Sequence, residues 1–169
     1  MNRRIMFLGI TYNQFKKITV KHIDSLFHEK QFGEPDYGDM FKSYKNISIN
    51  QALNEINFFG DWFQFGVFKG QTARILESFT LGKQKLHLFD SFEGLPGNWT
   101  NTQFSRGFFK LEKEEIPIFL KKNTIVHKGL FEETLPLFAK DYNDYIPFIH
   151  LDADLYSSTL TVLENLNKN

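Results

Sequence analysis

Four short apolar runs, each closing on a glycine or an aspartate and each followed by a helical pattern, set the fold class of this 169-residue chain. Asp61–Phe65 leads into Gly66, Lys85–Phe89 into Asp90, Thr124–His127 into Gly129, and Tyr145–Leu151 into Asp152. Apolar residues at helical spacing predict helices over Gln71–Phe79, Glu112–Lys121 and Glu132–Lys140, and a last one starting near Ser157 or Ser158, either of which can serve as N-cap. Strands separated by helices of this length imply a parallel sheet with right-handed crossovers, and such sheets hold ligands at the carboxyl ends of their strands. The expected class is α/β, with the sheet domain over residues 58–169. Residues 1–57 differ in texture and read as a helical preface or lid. They carry a loose helical pattern (Phe15, Ile18, His22, Ile23, Leu26, Phe27), a turn-rich stretch over Phe32–Asp39 and a second helix over Ser48–Ile56.

Charge narrows the partners. With 20 basic and 20 acidic residues the chain has no net field to draw it to nucleic acid or an anionic membrane. It has no cysteine, hence neither disulfides nor thiolate chemistry. The apolar run after Arg3 and Arg4 is too short for a signal-peptide core, and no stretch is long enough to span a bilayer. A cytoplasmic protein with neither nucleic acid nor a membrane as its partner is expected.

Three strand ends could carry chemistry. Gly66 lets the backbone turn sharply, and Gly70 admits a ligand or a neighbouring backbone next to a helix N-terminus suited to a carboxylate. The same turn is equally compatible with an ordinary strand–helix connection. Asp90 follows the glycine turn at the spacing at which an acidic side chain grips ribose hydroxyls, although an aspartate there can also cap a loop. Asp152 and Asp154, two residues apart after the fourth run, could share one hard cation such as Mg²⁺, which would lower the pKa of a bound hydroxyl. Otherwise one of the pair caps the next helix and the other is solvated. His87, His127 and His150 lie inside apolar runs and read as core or supporting residues. His22 and His28 belong to the preface.

Taken together, Gln64-Phe65-Gly66-Val67-Phe68-Lys69-Gly70, Phe89-Asp90-Ser91-Phe92-Glu93-Gly94-Leu95-Pro96, Gly129-Leu130-Phe131-Glu132-Glu133-Thr134-Leu135-Pro136 and His150-Leu151-Asp152-Ala153-Asp154-Leu155-Tyr156-Ser157-Ser158-Thr159 closely resemble the macrocin O-methyltransferase family. The resemblance runs in order from about Phe58 to Leu166. It implies a Rossmann-like sheet that binds S-adenosylmethionine (SAM) and uses Mg²⁺ to methylate a sugar hydroxyl. On that resemblance Gln64, Gly66 and Gly70 would line the methionine end of SAM, and Asp90 would hold the ribose. Ser91 and Phe92 would lie beside the adenosine, and Gly129 and Phe131 would border the adenine. Asp152 would be the catalytic metal ligand, with Asp154 a second ligand or an orienting group.

Two departures matter. Where the family's first strand usually ends in an acidic residue, this chain has Gln64, which cannot pair as a charge with the SAM amino group. Family members also continue past the fourth strand with further strands and another acidic pair, whereas this chain ends at Asn169. The sheet is therefore expected to be incomplete after the fourth strand. That strand would be an edge, inviting a second copy or a partner chain. The alternative function is a SAM-binding relative that has lost methyl transfer.

Overall fold

The structure is a computed structural model that describes residue 49, residues 51–56 and residues 59–167. The chain divides into two units between Glu55 and Ile56. In the first, residue 49 and residues 51–54 are helical, within the helix expected over Ser48–Ile56. The pattern from Phe15 to Phe27, the turn-rich stretch, His22 and His28 lie outside the described residues.

The second unit holds four parallel strands in the order β3-β2-β1-β4. These are β1 (Trp62–Phe65), β2 (Leu86–Asp90), β3 (Thr124–Lys128) and β4 (Phe148–Leu151). The α-helices are α1 (Gln71–Phe79), α2 (Phe131–Asp141) and α3 (Tyr156–Leu166). A parallel sheet with flanking helices is the arrangement the strand–helix alternation predicts. Among the described residues β3 and β4 are the two edges, and no helix is long and apolar enough to cross a membrane.

The central strand explains the aromatic excess. Every residue of β1 is buried, and the period-2 alternation sends Phe63 and Phe65 to one face. There Phe63 meets Phe89, His87, Phe138 and Tyr142, and Phe65 stacks on Phe89 at 4.9 Å between ring centres. Tilted and edge-on pairs of this kind add to the area they bury.

On that same face lies a buried polar chain. Asp61 Oδ2 faces His87 Nε2 at 3.3 Å, and His87 Nδ1 faces His127 Nε2 at 2.9 Å. A carboxylate only accepts, so His87 carries its proton on Nε2 and receives the His127 Nε2–H at Nδ1. Burial lowers the pKa of both rings, that of His127 to about 4, because the charged form is poorly solvated there. The unfolded chain therefore binds more protons than the folded one below the ordinary histidine value. Stability is full above about pH 6.5 and declines as the pH falls toward 4, by roughly 2 kcal/mol for the half-buried His127 after allowing for solvent screening. Urea unfolding at pH 7.5 and 4.5 checks this, and His127→Phe should flatten the difference.

Two expectations are corrected. The helix predicted over Glu112–Lys121 is only a 3₁₀ turn, Lys113–Glu115, closed by reciprocal bonds between Glu112 and Glu115. Pro117 stops it: a proline forces the preceding residue out of the helical region, and Ile116 has ψ 124°. The chain then runs along α1, where Arg74 donates to the Ile118 carbonyl and Lys121 Nζ to the Ser78 and Thr80 carbonyls. The last helix begins at Tyr156 with Leu155 as N-cap and no side-chain cap, so neither Ser157 nor Ser158 caps it. Leu155 is buried, and its amide bonds back to the Ala153 carbonyl in a tight turn that starts the helix early.

Candidate functional site

In the order β3-β2-β1-β4 the chain steps from β1 outward to β3 and then crosses back to β4 on the other side of β1, and such a switch point is where open parallel sheets bind ligands. Backbone bonds gather the sequence-predicted strand ends along this rim. Gly66 N–H donates to Phe89 O (3.0 Å), Gly129 N–H to Asp90 O (3.0 Å) and Asp152 N–H to Phe65 O (2.9 Å). Gly129, Asp90, Gly66 and Asp152 thus follow one another across the four strand ends.

Gly66 is required by its surroundings. Its φ is +84°, and a Cβ there would overlap the Asp152 carbonyl oxygen. Gly70, at φ +77°, has Pro117 Cβ 2.8 Å from where its own Cβ would stand, so the neighbour it admits is the Pro117 segment.

Asp90 binds the turn together. Its Oδ2 accepts the amides of Val67 (2.6 Å) and Phe68 (2.9 Å), and its Oδ1 accepts that of Phe92 (2.7 Å). The glycine turn and the segment after β2 are therefore tied to one carboxylate. A carboxylate has about four acceptor sites, and three are used.

Gln64 is almost fully buried. Its Nε2 donates to the Gly66 carbonyl at 2.8 Å, while its Oε1 is buried without a hydrogen bond. Phe92 is also buried, at φ +58°, so its ring belongs to the core. The Phe131 ring packs edge-on against Phe65 at 5.6 Å. Asp152 and Asp154 are exposed, the latter at φ +54°. Among the described residues no group of three or more His, Asp or Glu side chains is placed to hold a metal ion.

Beside this rim opens a cavity of about 770 Å³ whose wall includes Ser91, Leu95, Arg106, Lys128, Gly129 and Leu130, with Glu132 and Glu133 at the start of α2. Of the sequence-predicted cofactor residues, Ser91 and Gly129 line it; Gln64, Gly66, Gly70, Asp90, Phe92 and Phe131 do not. Nothing local in the sequence distinguishes Arg106 and Lys128 from surface cations. Leu95, Leu130, Glu132 and Glu133 lie in the segments that carry the resemblance, which assigns them no role.

Residues 44–169 match the family described as Macrocin-O-methyltransferase (TylF). Solved methyltransferases share the fold. The crystal structure of CalS11, a calicheamicin methyltransferase, superposes with a TM-score of 0.63 at 16% identity, covering 92% of this chain and 73% of that one. The O-methyltransferase NovP gives 0.57 at 20% identity, covering 74% of this chain and 58% of its own. Apo CalS11, described as a TDP-rhamnose 3'-O-methyltransferase, gives 0.51 at 15%, covering 95% and 76%. At such identities the likeness is one of fold. No curated protein sequence matches the chain.

Proposed function

This chain belongs to the macrocin-O-methyltransferase family, and from that premise we propose that it transfers a methyl group from SAM to a sugar hydroxyl with the help of Mg²⁺. The observation that carries the reading is the run of backbone bonds that sets Gly66, Asp90, Gly129 and Asp152 side by side along the carboxyl rim. The family alone leaves SAM and Mg²⁺ to be tested against the residues present.

For SAM the residues fit. The cavity is large enough for a nucleoside and mixes the apolar Leu95 and Leu130 with polar Ser91 and acidic Glu132. The unpaired, buried Gln64 Oε1 is an acceptor that an ammonium group could satisfy. An elongated ligand would lie with its nucleoside in the cavity, over β2 and β3, and its amino-acid end toward the β1–β4 switch point. Asp90 would use its remaining acceptor site for the ribose while still holding the turn. Gly66 and Gly70 would shape the turn, Ser91 and Gly129 would border the nucleoside, and Phe92 and Phe131 would support them from the core. Bound SAM supplies an electrophilic methyl group on a sulfonium centre.

For Mg²⁺ the donors also fit, because this ion binds through one or two carboxylates and keeps several waters, and Asp152 and Asp154 offer two on an exposed turn. Held there, Mg²⁺ would lower the pKa of the acceptor hydroxyl. Asp152 would orient that hydroxyl, and positioning would supply much of the acceleration. The second reading is a SAM-binding relative without transfer. Among the described residues β4 is an edge strand, and an edge suits pairing with a second copy or a partner chain in either case.

Calorimetry with SAM, with and without Mg²⁺, separates these. SAM should bind both the wild type and Asp152→Ala, and Mg²⁺ should change the binding only of the wild type. Tight SAM binding with no Mg²⁺ response and no transfer selects the second reading. Failure of the wild type to bind SAM sinks both.

A further inference from the structure

Backbone strain is concentrated around the candidate site. Among the described residues, the non-glycine positions with positive φ are Phe68 (49°), Phe92 (58°), Asn101 (64°), Phe109 (72°) and Asp154 (54°), all in loops that follow β1, β2 or β4. Bulky side chains seldom accept this conformation, and it persists where the surroundings force it, often at ligand sites. Phe92 is explained by its burial. Phe68 and Phe109 are held there by backbone turns, Gly70 N–H to Val67 O and Lys110 N–H to Gly107 O, which leave Phe68 42% exposed and Phe109 half-buried.

These two rings meet each other edge-on at 5.6 Å. Phe109 continues to Phe108 at 4.7 Å and Phe104 at 5.6 Å, and Phe104 to Trp99 at 5.8 Å. The result is a wall of aromatic rings, with Phe108 43% exposed, joining the glycine turn to the loop after β2. Its position is defined on both sides. Gly107, next to Phe108, lines the cavity, and the Phe68 amide is held by Asp90. A lysine follows each strained ring, and each lysine is paired in an exposed ion pair: Lys69 with Glu115 at 3.1 Å and Lys110 with Glu93 at 3.2 Å. Exposed pairs of this kind contribute little to stability, so their charges can be redirected to a ligand's hydroxyl groups.

We propose that the Phe68–Phe109 wall receives the acceptor, a pyranose-type sugar, with the C–H face of the ring against the aromatic faces and its hydroxyls toward Lys69, Lys110 and their glutamate partners. An aromatic face is electron-rich and attracts the weakly positive C–H edges of a sugar ring, whereas a flexible polyol has no rigid face to offer. The assignment rests on the sugar-methylating reading above and names the residues that would select its acceptor. A protein–protein contact would also use exposed rings, but it gives no reason for flanking two strained phenylalanines with lysine–glutamate pairs.

Saturation-transfer NMR with methyl α-L-rhamnopyranoside tests it, with sorbitol as the open-chain control. Both are measured with and without S-adenosylhomocysteine. The wild type should transfer saturation to the C–H protons of the pyranoside and little to sorbitol. Phe68→Gly and Phe109→Gly should each lose about five-fold, the scale of one aromatic contact. Calorimetric affinity for S-adenosylhomocysteine should stay within about two-fold, since the glycine variants keep the backbone amide that Asp90 binds. Phe68→Gly should not lower the melting temperature, because it relieves a strained φ at a largely exposed side chain. Pyranoside transfer that is absent in the wild type, or unchanged in both variants, overturns the proposal. So does a wild-type dimer that either substitution converts to a monomer in light scattering, because the wall would then be an interface. Loss of S-adenosylhomocysteine binding in the wild type would sink the proposed function, while the NMR without it still tests the wall.

Discussion

Replacing Asp90 by alanine should cost about 3 kcal/mol of stability and at least ~100-fold in S-adenosylhomocysteine affinity. The first figure follows from three amides, those of Val67, Phe68 and Phe92, that donate to this one carboxylate at 2.6–2.9 Å. Bonds to a charged acceptor are worth more than neutral ones, but these lie at a partly solvated rim where water can take over some of the loss, which keeps the total near ~3 kcal/mol. The second figure adds the ribose contact proposed for the fourth acceptor site. Asp90→Asn separates the two effects. Its amide oxygen can still accept, but its NH₂ would face one of the backbone N–H groups, so about half of the stability loss should remain. Urea unfolding and calorimetry on both variants provide the check. Alanine and asparagine variants as stable as the wild type would mean that the turn holds itself without Asp90.

Gly66→Ala is the second large effect, expected near ~3 kcal/mol from two separate causes. An alanine at φ +84° accounts for about 1–2 kcal/mol. The rest comes from the Asp152 carbonyl oxygen, which stands where the new methyl must go. That oxygen belongs to the backbone at the end of β4, so relief requires the end of the strand to retreat from β1 and the Asp152 N–H···O=C Phe65 bond to lengthen. The retreat would be visible through Trp62, buried on β1 with its ring 5.6 Å from Phe148 on β4, as a shift in tryptophan emission. A loss below about 0.5 kcal/mol, the scale of an ordinary surface substitution, would show that β4 is looser here than its pairing with β1 implies. If the proposed Mg²⁺ site is correct, the same variant should also lose the Mg²⁺ response, because the Asp152 turn moves with the strand.

The folding pattern was legible wherever a local rule had no competitor. Alternation of apolar runs with helical spacing placed α1 at its observed bounds and the four strands within a few residues. Where two local signals competed, the chain decided otherwise. Pro117 outweighed the helical spacing of Glu112–Lys121, and the burial of Leu155 started α3 ahead of the serines that could have capped it. The site was legible as a set of strand ends because a parallel sheet sends every carboxyl end to one rim. Which groups serve as scaffold was not, since that depends on neighbours distant in sequence. Gly70 faces Pro117, 47 positions away, and Asp90 reaches back to the amides of Val67 and Phe68. The aromatic wall was equally hidden: Phe68 and Phe109 become partners only when the loop after β2 folds back over the glycine turn.

The amino-acid order by itself determined the α/β class, the glycine turn and the arrival of Asp90 and Asp152 at strand ends, because these follow from periodicity and backbone freedom within a few residues. The tertiary structure alone decided the strand order that sets β4 beside β1, the three backbone amides gathered on Asp90, the Asp61–His87–His127 chain and the rings at positive φ near the cavity. Each of these depends on contacts between segments far apart in the chain, and such contacts are fixed by mutual packing and hydrogen bonding that no local pattern encodes.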